Sequence, residues 1–207
     1  TTISIPKTVT KAGSNVFEDS GLKTATIENG TAVVADNLFS NAKNLTKVTI
    51  PNTVKKIGSM SFYGCKSLSS VTLPNTLTEI GYSAFSRTTA LTTISIPKTV
   101  TKAGSNVFED SGLKTATIEN GATAVADNLF SNAKNLTKVT IPNTVKKVGS
   151  MSFYHCVKLS SVTLPNTLTE IGYSAFNGTT ALTTITIPKT VTKAGNDVFE
   201  DSGLKTA

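Results

Sequence analysis

Between Leu45 and Ser67 the chain reads LTKVTIPNTVKKIGSMSFYGCKS, with apolar positions in three short groups separated by polar residues. Behind Leu45, Val48 and Ile50 alternate with Lys47 and Thr49, the period of a strand with one buried face. Pro51 ends that strand, because it has no N–H to give to a ladder. Asn52 and Thr53 turn the chain, and Val54 and Ile57 return apolar side chains to the interior. Gly58 is expected to make a tight corner, and a short helical turn carrying Phe62 is expected to close the coil. The following stretch repeats the pattern with Leu68, Val71, Leu73 and Pro74.

The same phases recur along the whole sequence. Phe17, Phe39, Phe62, Phe85, Phe108, Phe130, Phe153, Phe176 and Phe199 lie 22 or 23 residues apart, and all seven prolines share another phase. A fixed period of this size signifies a solenoid in which each coil stacks on its neighbours. The expected fold is a repeat solenoid of about nine coils. It has a parallel β-sheet on one face and short turns, short strands or helical turns on the other. Coils about 4.8 Å apart would bring the nine phenylalanines into one buried column, within the roughly 4.5–7 Å range of favourable ring contacts.

A longer period overlies the short one. Residues 1–116 match residues 92–207 at an offset of 91, with 12 differences. Four coils therefore form a unit, at 1–91, at 92–182 and partially at 183–207. The sequence reads as one solenoid domain over 1–207. Because it opens and stops in mid-repeat, it is expected to be a fragment of a longer array. In two coils, Glu28-Asn29-Gly30 and Glu119-Asn120-Gly121 replace the proline turn, and Asn-Gly calls for a different tight turn.

Composition narrows the function. The formal charge is +7, but lysine outnumbers arginine nineteen to one, and bidentate contacts to bases and phosphates favour arginine. The basic groups concentrate in Leu45–Ser67 and Leu136–Lys158 and are spread around each coil, so nucleic acid is not an expected partner. No stretch is long and apolar enough to span a membrane. Cys65 and Cys156 share a phase four coils apart, roughly 19 Å by coil spacing, too far for a disulfide.

Catalysis needs a unique constellation at one place, and the repeat supplies none. The only histidine, His155, corresponds to Gly64 in the other unit. There is no Cys/His spacing for a metal and no glycine-rich phosphate loop. The doublets Glu18-Asp19, Glu109-Asp110 and Glu200-Asp201 fall short of a calcium loop's ligand count. Neither an enzyme nor a cofactor is expected. The outward strand positions instead form a row of small polar residues, Thr24, Thr26, Lys47, Thr49, Ser70 and Thr72, repeated as Thr115, Thr117, Lys138, Thr140, Ser161 and Thr163. Outward threonine suits any strand, but a flat hydrogen-bonding row also suits a protein or glycan ligand. These twelve residues are the candidate binding face.

The strings LTKVTIPNTVKKIGSMSFYGCKSL and LSSVTLPNTLTEIGYSAF resemble the BspA-like leucine-rich repeats of bacterial and some protist surface proteins. The resemblance rests on the Leu-x-x-Val-x-Ile-Pro strand, the Val-x-x-Ile-Gly segment and the Phe-x-x-Cys ending, and it covers the whole chain. The Glu-Asn-Gly coils, Ala12, Ala103 and Ala194 depart from the pattern, and only two coils end in Cys. The resemblance implies a secreted or surface-anchored protein that adheres to matrix proteins such as fibronectin or fibrinogen, to glycans or to other cells. It fixes no binding residues. The alternative is a spacer, a fibre component that associates head to tail, or an engineered consensus array without a ligand.

Overall fold

The computed structural model describes residues 1–205. The chain winds as a β-solenoid with two rows of short parallel strands. One row, the strand face, holds β1 (Thr2–Ile5), β2 (Thr24–Ile27), β4 (Lys47–Thr49), β7 (Thr93–Ile96), β9 (Thr115–Ile118), β11 (Lys138–Thr140) and β13 (Ser161–Val162). The second row holds β3 (Val33–Val34), β5 (Lys56–Ile57), β6 (Glu79–Ile80), β8 (Lys102–Ala103), β10 (Ala124–Val125), β12 (Lys147–Val148), β14 (Glu170–Ile171) and β15 (Lys193–Ala194). Nine Phe-bearing turns are present, and eight windings carry a second-row strand.

Alternation explains the strand face. Ala25, Val48, Ile94, Ala116 and Val139 are buried, while Thr26, Lys47, Thr49, Ser95 and Thr117 point to solvent. Opposite them, the phenylalanines stack with centroids 5.0 Å (Phe153–Phe176) to 5.8 Å (Phe108–Phe130) apart. The seven rings from Phe39 to Phe176 have no exposed surface, whereas Phe17 and Phe199 are half-buried.

The Phe-bearing turn is not the expected helical turn. The N–H groups of Asn37, Phe39 and Asn41 donate to the carbonyls of Ser59, Ser61 and Tyr63 in the next coil. The alternate groups, on Leu38, Ser40 and Ala42, donate back to Ala35, Asn37 and Phe39. A helix would keep all its N–H groups within the turn. Here the residues two before and two after each ring are left-handed, as at Asn37 (φ 58°), Asn41 (φ 56°), Met60 (φ 54°) and Gly64 (φ 67°), which swings every second peptide outward.

Gly58 plays a different part from the expected corner. It is not among the left-handed residues. A Cβ there would lie 2.6 Å from both the Asp36 nitrogen and the Val34 oxygen of the preceding coil. The missing side chain permits close approach of two backbones, and Gly81, Gly104, Gly149 and Gly172 are in the same position. A left-handed glycine is needed instead in the Glu-Asn-Gly turns. There Thr31 N–H donates to Glu28 O at 3.3 Å across Gly30 at φ 94°, whereas the Pro51–Val54 turn closes at 3.1 Å with no residue at positive φ.

The coils are not all joined alike. On the strand face, β1-β2-β4 continues to Ser70 through a bridge from Lys47, and a separate ladder runs β7-β9-β11-β13. The second row divides into β3-β5-β6-β8 and β10-β12-β14-β15. The winding from Leu91 to Gly112 is thus bonded backward through the second row and forward through the strand face. It is also the short one, with 22 residues before the next leucine phase where the windings from Leu22, Leu45 and Leu68 have 23.

Candidate functional site

The strand face collects the sequence-predicted positions into columns. Thr24 pairs in register with Lys47 and Thr26 with Thr49, and Lys47 bridges to Ser70. In the second unit Thr115 and Thr117 pair with Lys138 and Thr140, and Lys138 pairs with Ser161. Eleven of the twelve candidate side chains are exposed and Thr24 is half-buried. At the start of the column Thr2 Oγ1 and Thr24 Oγ1 share a hydrogen bond at 2.7 Å. Lys47 and Lys138 stand four coils apart, roughly 19 Å at about 4.8 Å per coil. Thr72 and Thr163, although exposed, lie outside the named strands.

Sequence reasoning did not foresee that this face would be interrupted. A shallow opening of about 290 Å³ lies where Ser70 and Val71 face Thr93, Ile94 and Ser95. A second, of about 400 Å³, lies among Ser161, Thr163, Asn166, Thr184 and Thr186. The signal was available in the spacing, since each opening precedes a coil of the 22-residue type.

Two ion pairs lie on the second row. Lys56 pairs with Glu79 at 2.8 Å and Lys147 with Glu170 at 3.0 Å. The hydrogen bond that each lysine donates to its glutamate raises the lysine's pKa above the ordinary value, against an opposing effect of burial. Lys102 and Lys193 follow in register, giving a Lys-Glu-Lys ladder in each unit.

One acid of each Glu-Asp doublet is held by a neighbouring side chain. Asp19 and Asp110 pair with Lys43 and Lys134 at 2.8 and 3.1 Å, and Glu200 accepts from Asn177. His155 sits left-handed at φ 53° with its ring 4.2 Å from that of Tyr154. Among the described residues no three His, Cys, Asp or Glu side chains gather in a metal-holding group, and no helix is long and apolar enough to cross a membrane. Both cysteines are free and buried. Cys65 Sγ donates to Phe39 O and Cys156 Sγ to Phe130 O, at 3.0 and 3.1 Å.

The sequence matches the BspA type leucine-rich repeat region, in six copies, over residues 1–114 and 104–207. A leucine-rich repeat protein from Eubacterium ventriosum is 32% identical, with a TM-score of 0.75, and all of this chain spans 60% of that one. The leucine-rich repeat protein of T. pallidum (20% identity, TM-score 0.63) aligns over 87% of this chain and 77% of its own. One from Bacteroides ovatus (24% identity, TM-score 0.55) aligns over 97% and 76%. Both share the fold. No curated protein sequence matches. With the family pattern matched along the whole chain, the chain belongs to the BspA-type leucine-rich repeat family.

Proposed function

We propose that the chain is a non-enzymatic adhesion module of a secreted or surface-anchored protein, which contacts an extracellular protein or glycan through its strand face. The observation that carries this reading is the strand face itself. Exposed hydroxyls and two lysines repeat in register over successive coils, while Asp19, Asp110 and His155 elsewhere are engaged in ion pairs and a ring stack. Repetition matters energetically, because weak contacts on one rigid array add through effective concentration. Fibronectin, fibrinogen, mucins and neutral and anionic glycans form the panel for immobilised-ligand binding. Saturable binding to at least one member supports adhesion, and absence of binding throughout contradicts it.

The near identity of the 91-residue units, with 12 differences in 116 positions, also favours a second reading as a spacer or self-associating fibre element. Light scattering separates the two. Head-to-tail growth with concentration supports assembly, and a constant monomer mass together with a ligand supports adhesion.

A further inference from the structure

The two openings on the strand face arise from one recurring fault in the winding. Among the described residues, no backbone hydrogen bond joins Ser70–Thr72 to Thr93–Ser95, or Ser161–Thr163 to Thr184–Thr186. Elsewhere on this face the following coil donates to the preceding one, as from Thr46 N–H to Lys23 O at 2.8 Å. At the two faults, carbonyls of one coil face N–H groups of the next without that bond. The second row stays closed across each fault, with Gly104 N–H on Ile80 O at 2.8 Å and Gly195 N–H on Ile171 O at 2.9 Å. The coils therefore part on the strand face alone. Local sequence agrees: Ser69-Ser70 and Ser160-Ser161 stand where other coils carry Thr or Lys, and serine lacks the branch that favours strands.

The chemistry of the openings is uniform. Their lining includes Ser, Thr, Asn, Pro and aliphatic residues and no Asp, Glu, Lys or Arg. Val71 at the first fault is half-buried, while its counterpart Val48 is 5% exposed. An anionic or cationic ligand would find no counter-charge at the lining itself. What fits is a rim of neutral donors and acceptors that dips between the strands, with its less polar face on Val71 and Ile94.

We propose that the two openings bind a neutral carbohydrate, whose hydroxyls bond to the unpaired strand groups and to the Ser and Thr side chains around them. This rests on the adhesion reading and gives that reading a ligand class and a place. One chain should hold two equivalent sites, one per 91-residue step.

The test is titration of the whole isotope-labelled chain with galactose-, mannose- and N-acetylglucosamine-terminated neutral oligosaccharides, followed by NMR. Sialylated forms and fibronectin serve as comparisons. Amide shifts centred on Val71, Thr93 and Ser95 and on Ser161, Thr163 and Thr184 are expected with at least one neutral sugar. Thr93→Val with Thr184→Val should weaken that binding by about tenfold or more at an unchanged unfolding midpoint. If that double variant loses its fold, Ser95→Ala with Thr186→Ala takes its place. Shifts only with sialylated sugars, or confined to the Phe-bearing turns, overturn the proposal. Fibronectin binding that survives both variants, with no sugar response, overturns it while leaving adhesion standing; no binding to anything overturns both.

Discussion

Cys65 and Cys156 show how one residue type answers a local need. The position three after each phenylalanine is Thr or Ser in several coils, and its hydroxyl bonds the ring residue's own carbonyl, as Thr88 Oγ1 does to Phe85 O at 2.7 Å. Ala42 and Ala133 have no such group, and the cysteine of the next coil reaches back to Phe39 O or Phe130 O instead. Burial pushes the Cys65 thiol from its ordinary 9.0 up to about 12, and Cys156 is shifted the same way. The folded state thus holds these protons where the unfolded chain releases them, so stability is full below pH 9 and falls as pH rises toward 12. Native protein should leave both thiols unmodified by a disulfide reagent at pH 8 and expose two on unfolding; rapid native labelling contradicts their burial. Glycine and asparagine carry sharper tests. Gly58→Ala should cost about 1–3 kcal/mol from backbone crowding. Asn132, at φ 60°, should lose about 1–2 kcal/mol as Ala and less as Gly. Denaturant midpoints check both, and equal costs for the two Asn132 variants would exclude backbone strain as the cause.

At the level of elements, the Phe-bearing turn holds the coils together from inside while the strand rows do so from outside. Phe108 touches rings on both sides, at 5.6 and 5.8 Å. Phe108→Ala should therefore cost about 3–5 kcal/mol, and Phe199→Ala, from a half-buried ring with its single stacked neighbour at 5.5 Å, distinctly less. Chemical denaturation decides, and a loss below about 1 kcal/mol at Phe108 would contradict its place in a packed core. The phenylalanine column and outward threonines were legible because period and alternation depend only on residue type. The turn's form was misread for an identifiable reason. Asn15, Asp19, Asn37, Asn41, Asn106 and Asp110 flank their rings at two residues on each side, and Asn and Asp are the side chains that tolerate left-handed backbone. That spacing was visible, but Met60, Arg87 and His155 at equivalent places masked it. Gly58 was assigned to a corner because sequence cannot distinguish a glycine needed for its φ from one needed for its missing Cβ.

Over the whole molecule, function depends on how far identical coils remain identical. The second-row ladder of Lys56, Glu79 and Lys102, and its copy at Lys147, Glu170 and Lys193, gives local support. Exposed pairs of this kind contribute at most about 1 kcal/mol and less in salt. The breaks in the strand face do more, because they divide it into segments at a fixed interval. The interval follows from the 22-residue spacing, but the opening itself required coordinates, since it results from bonds lost between coils four turns into each unit. The central claim is that recognition belongs to the strand face. The most direct measurement compares ligand affinity, on a single matrix protein or glycan that the chain binds, between two charge variants of matched fold. Thr49→Asp with Thr140→Asp on the strand face should reduce affinity by about tenfold or more, and Lys55→Glu with Lys146→Glu beside the second row should leave it within about twofold. The reverse pattern, or equal affinity for both variants, would contradict the claim.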